Sequence, residues 1–304
     1  MLEADGGDQL QEVMTFKPLE LADRPVFREI EKSRPLPTSD ANFSNMFMWR
    51  SYYRFSWTEA HGCLCLLARP EGRPAFGFPP LGDGDKVRAV EFLFENMDEP
   101  LLTRTPEAMA VELAAARPGW RLAPDPDNDD YVYLVDKIVT LSGRRMHQKK
   151  NHYNYFVQNY RYEAIEVTPA LHDELVEVEA KWLTSKTEKI GPDSHLRMEQ
   201  EAVHVLLENF EALETCGLAI RIDGRIEAFA LGERLSGDTG LVHVEKGNPD
   251  VRGIYVALCS FFCRSCFGDL TYVNREQDLG LPGLRRSKES LKPDHMEKKF
   301  NVRP

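Results

Sequence analysis

The stretch Asn274-Arg275-Glu276-Gln277-Asp278-Leu279-Gly280-Leu281-Pro282-Gly283-Leu284-Arg285 crowds charges of both signs between two readable elements. Before it, Leu270 to Asn274 reads as a strand; after it, a Gly/Pro-rich turn opens a short basic helix over about Leu284 to Leu291. Loops at strand ends are where sites are assembled, because rigid elements position them while their own backbone stays accessible. Arg275, Glu276 and Asp278 can bind an ammonium or amide group, hold a nucleophile or move a proton. The same residues can also form a salt-bridged loop cap. On the basic helix, Arg285, Lys288 and Lys292 share a face, a surface suited to a phosphate or a carboxylate or simply solvated. A final strand is expected from His295 to Phe300.

Working upstream, Leu218-Ala219-Ile220-Arg221-Ile222 and Arg225-Ile226-Glu227-Ala228-Phe229-Ala230 flank Asp223-Gly224. Alternating apolar residues around Asp-Gly predict a hairpin, since that turn needs positive φ. Leu241 to Lys246 reads as another strand, broken by Gly247-Asn248-Pro249-Asp250. A helix from about Arg252 to Phe267 presents Ile254, Leu258, Phe261 and Phe262. Thr168 and Pro169 start a helix whose Leu171, Leu175, Val178 and Trp182 form one stripe. In the first half, Asp23 is placed to cap a helix carrying Val26, Phe27 and Ile30 inward. Gly62 to Ala68 and Tyr131 to Val135 read as strands, Lys86 to Asn96 as a helix, and Pro124 to Asp130 as a loop. A boundary near residues 140–150 divides the chain, with units expected at 14–143 and 144–304 after a disordered leader at 1–13.

The chain has 304 residues, 42% hydrophobic and 29% charged, which is enough for two domains with proper cores. A formal charge of -11 argues against wholesale binding to nucleic acid or an anionic membrane. No run approaches a membrane span and the acidic start lacks signal-peptide features, so a cytoplasmic protein is expected. The six cysteines read as reduced. Cys259, Cys263 and Cys266 have the spacing of an iron–sulfur triplet, but they fall on one face of a packed helix and read as core residues. His147, His152, His195 and His204 form no metal motif, and nucleophile-elbow, phosphate-loop and dinucleotide fingerprints are missing.

A basic patch precedes the second half: Arg144-Arg145-Met146-His147-Gln148-Lys149-Lys150-Asn151-His152-Tyr153-Asn154-Tyr155-Phe156. Its cations can engage phosphates and its rings can stack on bases. A solvated helix with Tyr153 and Phe156 packed inward is the equal alternative.

Residues 274–293, together with Ser142 to Phe156 and the Glu245 to Leu258 strand-to-helix junction, resemble a bacterial family, DUF2156. That family is related to the C-terminal catalytic domain of phosphatidylglycerol lysyltransferases. The resemblance runs over nearly the whole chain after residue 14. It implies an α+β protein of two tandem GNAT-like (GCN5-related N-acetyltransferase) folds, mixed β-sheets flanked by helices. It also implies an aminoacyl- or acyltransferase with charged tRNA or acyl-CoA as donor, and a small-molecule, peptide or lipid head-group acceptor. On that reading Glu245, Glu276 and Asp278 are the catalytic positions. Arg252, Tyr255, Asn274, Arg275, Arg285 and Lys288 hold substrate, and Lys149, Lys150 and Asn151 touch an RNA end. No counterpart of the membrane-embedded half of the lysyltransferases is expected in this sequence.

The phosphate loop of ordinary GNAT enzymes is also altered. Asn248 to Ala257 keeps Arg252 and Gly253 and replaces the later glycines with bulkier residues, so the backbone cannot approach a pyrophosphate as closely past Tyr255. Two further readings stay open: an acyl-CoA-dependent N-acetyltransferase, and a non-catalytic binding module.

Overall fold

The computed structural model describes residues 15–191 and 194–304; the leader expected at 1–13 lies outside them. The chain begins with β1 (Lys17–Pro18), α1 (Arg24–Ser33), α2 (Phe43–Met48), α3 (Arg50–Tyr53), β2 (Ser56–Ala60), β3 (Cys63–Ala68) and β4 (Phe76–Gly77). It continues through α4 (Lys86–Glu95), β5 (Leu102–Pro106), α5 (Glu107–Ala116), β6 (Arg121–Pro124), β7 (Asp130–Leu134), α6 (Val135–Thr140) and α7 (His147–Asn159). Then come β8 (Tyr162–Glu166), α8 (His172–Ile190), α9 (Ser194–Glu208), β9 (Cys216–Ile222), β10 (Arg225–Arg234) and β11 (Thr239–Gly247). The last elements are α10 (Ile254–Phe267), β12 (Tyr272–Asn274), α11 (Pro282–Ser290), β13 (His295–Glu297) and β14 (Lys299–Arg303).

The strands form two mixed seven-stranded sheets, β1-β2-β3-β4-β5-β14-β6 and β13-β7-β12-β11-β10-β9-β8. Helices cover both sheets, which is the expected α+β architecture of two GNAT-like units. The β9–β10 hairpin turns at Asp223 and Gly224, whose φ values of 47° and 81° are the left-handed pair the turn demands. One core is shared by a face of each sheet together with α1, α2, α8 and α9. The other face of the second sheet packs on α6, α7 and α10, burying Cys259 and Cys263 beside Phe262. The other face of the first sheet packs on α4 and α5.

The sheets exchange strands. β7 comes from before residue 143 but lies in the second sheet, between β13 and β12; β14, at the end of the chain, lies between β5 and β6. The division at 143/144 therefore does not coincide with the division between sheets.

The single strand expected at His295 to Phe300 is two strands in different sheets. β13 pairs with β7, β14 pairs with β5 and β6, and the chain changes sheets at Lys298. Just past that point Lys299 carries its ammonium to the buried carboxylates of Asp40 and Asp130.

Two expectations at α1 are corrected. Phe27 is buried, but Val26 points out at 39% exposure, because adjacent helical positions cannot share one narrow stripe. Asp23 does not cap the helix through its side chain. Its carboxylate accepts from Lys17 Nζ, the Glu20 amide and Trp57 Nε1 instead. No described helix is long and apolar enough to cross a membrane.

Candidate active site

The site begins where two neighbouring strands part. β11 and β12 run parallel for three residues, Thr239–Leu241 against Tyr272–Asn274, after which β11 continues with only β10 beside it. The β10–β11 register slips here: Leu231 faces Val244 while Gly232 faces Val242, leaving His243 as the extra residue of a bulge. A bulge bends its strand and re-aims side chains, so β11 is levered away from β12. Gly232 is required at this crossing, since a Cβ on it would lie 2.2 Å from the Leu241 carbonyl oxygen. The Arg275 amide still donates to the Tyr131 carbonyl in register with β7, and β12 ends where Glu276 then adopts a left-handed φ of 57°.

Two ion pairs cross the wedge so formed. The Arg275 guanidinium donates to Glu245 Oε2, and His243 Nδ1 lies 3.2 Å from Glu276 Oε1. Adjacent residues of the loop thus reach different residues of β11. The Arg275 group stacks at 5.6 Å over the Tyr133 ring.

The first pair is incomplete: Glu245 Oε1 and Arg275 Nε are buried and have no hydrogen-bond partner. A buried acceptor or donor left unmade costs roughly 1–3 kcal/mol, so such atoms are uncommon in a finished core. Lys149 of α7 is half-buried nearby. Burial, and then the neighbouring Arg275 and Lys292 charges, pull its ammonium below the ordinary lysine range.

The second pair extends into a chain. His243 is enclosed, with Nε2 2.9 Å from Glu233 Oε1. Burial alone would discharge the ring, but the two carboxylates outweigh it and push its pKa up to about 9. Both ring nitrogens then donate, and Asn45 Nδ2 adds a donor to Glu276 Oε1 at 3.1 Å. Beyond Glu233, burial and the Glu233 charge raise the Glu31 carboxyl to about 7.

The remaining residues expected at the site brace it. Asp278 is buried and saturated, accepting from Tyr131 OH at 2.6 Å, the Gly280 amide at 2.8 Å and Arg285 Nε at 2.7 Å. Burial works against its charge, yet the Arg285 and Tyr131 hydrogen bonds hold its pKa below the usual range. Arg285 is clamped between Asp278 and Asp127. Lys288 is buried and donates to the carbonyls of Arg275 and Glu276. Burial, then the Arg275 charge, lower its pKa to about 8. Asn274 is buried, bonded to Asp130 at 3.0 Å and to the Glu276 amide at 2.8 Å.

Farther out, Arg252 lies 4.3 Å over the Tyr155 ring. Tyr255 accepts from Trp182 Nε1 and donates to the Gly247 carbonyl. Lys150 and Asn151 are exposed on α7. At the start of α10, a Cβ on Gly253 would lie 2.3 Å from the His152 carbonyl oxygen. The close approach this glycine permits is taken by α7, and a carbonyl oxygen there is a poor neighbour for a phosphate.

Sequence reasoning missed His243, Glu233, Asn45 and the α8–α9 carboxylates Glu179 and Glu199. His243 and Glu233 sat in apolar strand patterns as isolated polar residues, a signal that could have been followed.

The family profile described as "Phosphatidylglycerol lysyltransferase, C-terminal" matches residues 33–303. A conserved Bacteroides thetaiotaomicron protein of unknown function is 28% identical, with a TM-score of 0.89 over 95% of this chain and 99% of that one. The C-terminal DUF2156 domain of a putative lysylphosphatidylglycerol synthetase from Agrobacterium fabrum superposes at TM-score 0.65 and 15% identity, covering 93% of this chain and 92% of that one. L-PGS from Bacillus licheniformis superposes at 0.67 and 16%, covering 94% and 92%. These last two likenesses show the fold. An uncharacterised protein of Mycoplasmoides gallisepticum is 23% identical over 176 residues, 57% of this chain and 56% of that protein, so the match spans little more than half its length.

Proposed function

This chain belongs to the family of phosphatidylglycerol lysyltransferase C-terminal domains, and from that premise we propose that it transfers an activated aminoacyl group to a hydroxyl or amine acceptor within the β11–β12 wedge. One observation carries the reading: an unpaired buried acceptor, Glu245 Oε1, and an unpaired buried donor, Arg275 Nε, stand side by side where the strands part. Acyl transfer needs both. The acceptor's oxygen or nitrogen attacks the ester carbonyl and gives up its proton to Glu245, while the developing oxyanion takes the Arg275 N–H. The ester C–O bond then breaks, and the leaving hydroxyl recovers the proton from Glu245.

Glu276 is committed to His243 and Asn45, and Asp278 to Tyr131 and Arg285, so both hold the loop that presents Arg275. On this reading Lys149, half-buried within reach of the Arg275 charge, meets a donor phosphate, and Lys150 and Asn151, exposed on the same helix, support it from farther out. The packing of α7 on Gly253 favours charged tRNA over coenzyme A as donor.

The decisive experiment incubates the protein with a mixture of charged tRNAs and, separately, phosphatidylglycerol vesicles or amine and peptide acceptors, following label from the amino acid. Transfer that falls about a hundredfold in Glu245→Gln supports the reading. Transfer from acetyl-CoA but from no charged tRNA would replace it with acyl-CoA chemistry. No transfer from either, with no binding of tRNA or coenzyme A, would leave a binding module.

A further inference from the structure

Lys246 follows Glu245 on β11 and meets a different set of partners, on α8 and α9. Its ammonium lies 2.7 Å from Glu199 Oε1 and 3.3 Å from the centroid of the Trp182 ring. Glu179 is the second carboxylate, 0% exposed and 3.5 Å from the same ammonium. That approach is an ion pair without hydrogen-bond geometry: both Glu179 oxygens are buried and neither receives a hydrogen bond. Tyr255 cannot supply one, because its hydroxyl proton goes to the Gly247 carbonyl and its oxygen receives Trp182 Nε1.

The cluster therefore holds two carboxylates and one ammonium, and that ammonium is drawn to Glu199 and the indole face. Burial pushes the Glu179 carboxyl upward, as expected of an acid whose charge is poorly matched. Glu199, Trp182 and Tyr255 are partly exposed, so the cluster reaches solvent along their edge.

We propose that Glu179, walled by Trp182, Tyr255 and the Glu199–Lys246 pair, is a receptor for a primary ammonium group on a small ligand. The ligand nitrogen supplies the missing donors to both Glu179 oxygens and the missing positive charge to the cluster. Lys246 spends its hydrogen bond on Glu199 and covers the indole face, leaving both Glu179 oxygens without one. The proposal stands apart from the wedge chemistry, since it requires binding and no transfer.

The test is thermal unfolding of the full chain in n-butylammonium or glycinamide, against 1-butanol and matched sodium chloride. The two ammonium probes separate a chain-end amine from an α-amino group. Either should raise Tm of the unmodified protein in a saturable way, while 1-butanol should not. Glu179→Gln should unfold at the same temperature as the unmodified protein or higher, and bind the ammonium about tenfold more weakly or worse.

Glu199→Gln tests the same idea without touching Glu179. With Glu199 neutral, Lys246 is released to close its 3.5 Å approach to Glu179 into a hydrogen bond, and ammonium binding is lost. Three results would overturn the proposal: equal shifts in the unmodified protein and both variants, equal shifts with 1-butanol, or a Glu179→Gln protein that unfolds well below the unmodified one. The last would mark Glu179 as part of a structural salt bridge.

Discussion

Two buried ionic regions of this molecule lie close together and are built to different standards. In the knot between the halves, Lys299 donates to Asp40 and Asp130. Asp130 also accepts from the Ser39 amide and hydroxyl and from Asn274, and Arg104 bonds Asp40 at 2.8 Å. None of these side chains keeps a buried polar atom without a partner. In the wedge, Glu245 and Arg275 each keep one. Both regions bury charge, so burial and charge do not distinguish a brace from a site. Completeness separates these two regions, although Arg28 Nε, Glu31 Oε2 and Arg221 Nε elsewhere are also buried without a partner: a structural ion pair repays its desolvation best when every lone pair and proton is used, whereas a site must leave acceptors and donors for a ligand.

The contrast can be broken most directly at the knot. Lys299→Met leaves two buried carboxylates without their shared cation, and stability should fall by about 3–5 kcal/mol, read from the denaturant midpoint. A similar loss on Glu245→Met at the wedge would erase the distinction.

The pH response sharpens it. His243 and Glu31 both have folded-state pKa values above their ordinary ones, about 9 and about 7. The folded protein therefore binds more protons than the unfolded chain. Its contribution from Glu31 is full below about pH 4.5 and fades as pH rises toward 7; that from His243 is full below about 6.5 and fades toward 9. The His243 part is on the order of 3 kcal/mol and should vanish in His243→Gln, as measured by Tm against pH.

At the wedge, Glu245→Gln keeps an acceptor oxygen for Arg275 and should cost clearly less stability than Lys299→Met, while transfer falls about a hundredfold. The smallest effect belongs to the outer face. Lys150→Ala should weaken tRNA binding slightly at low salt and flatten its salt dependence by roughly one ion, with Tm unchanged.

Much of this architecture was legible in the amino-acid sequence. The Asp223-Gly224 hairpin, the α8 stripe and the α10 core helix follow from periods of two and 3.6 and from turn chemistry, which depend on near neighbours. The stretch from Asn274 to Gly280 was legible as a charged loop at a strand end, and it is one. What it could not convey was the division of labour inside it. Arg275 faces an open carboxylate, Glu276 a buried histidine, and Asp278 a saturated clamp, although all three look alike as charged loop residues. Val26 and Asp23 failed for different reasons: Val26 is adjacent to the buried Phe27 and so lies off its stripe, while for Asp23 a partner elsewhere, Trp57, decided the role.

The sequence by itself determined the family and the more regular elements, such as the β9–β10 hairpin, α4, α8 and α10, and left β1, β5, α5, α9 and the split of the last strand unread. Only the tertiary structure decided that β7 and β14 change sheets, that His243 is the bulge that parts β11 from β12, and that Glu245, Arg275 and Glu179 keep unmet hydrogen bonds. Local pattern follows from residues a few positions apart. Whether a buried charge is satisfied depends on groups such as Asp130 and Lys299, which lie 169 positions apart and meet only when the fold is complete.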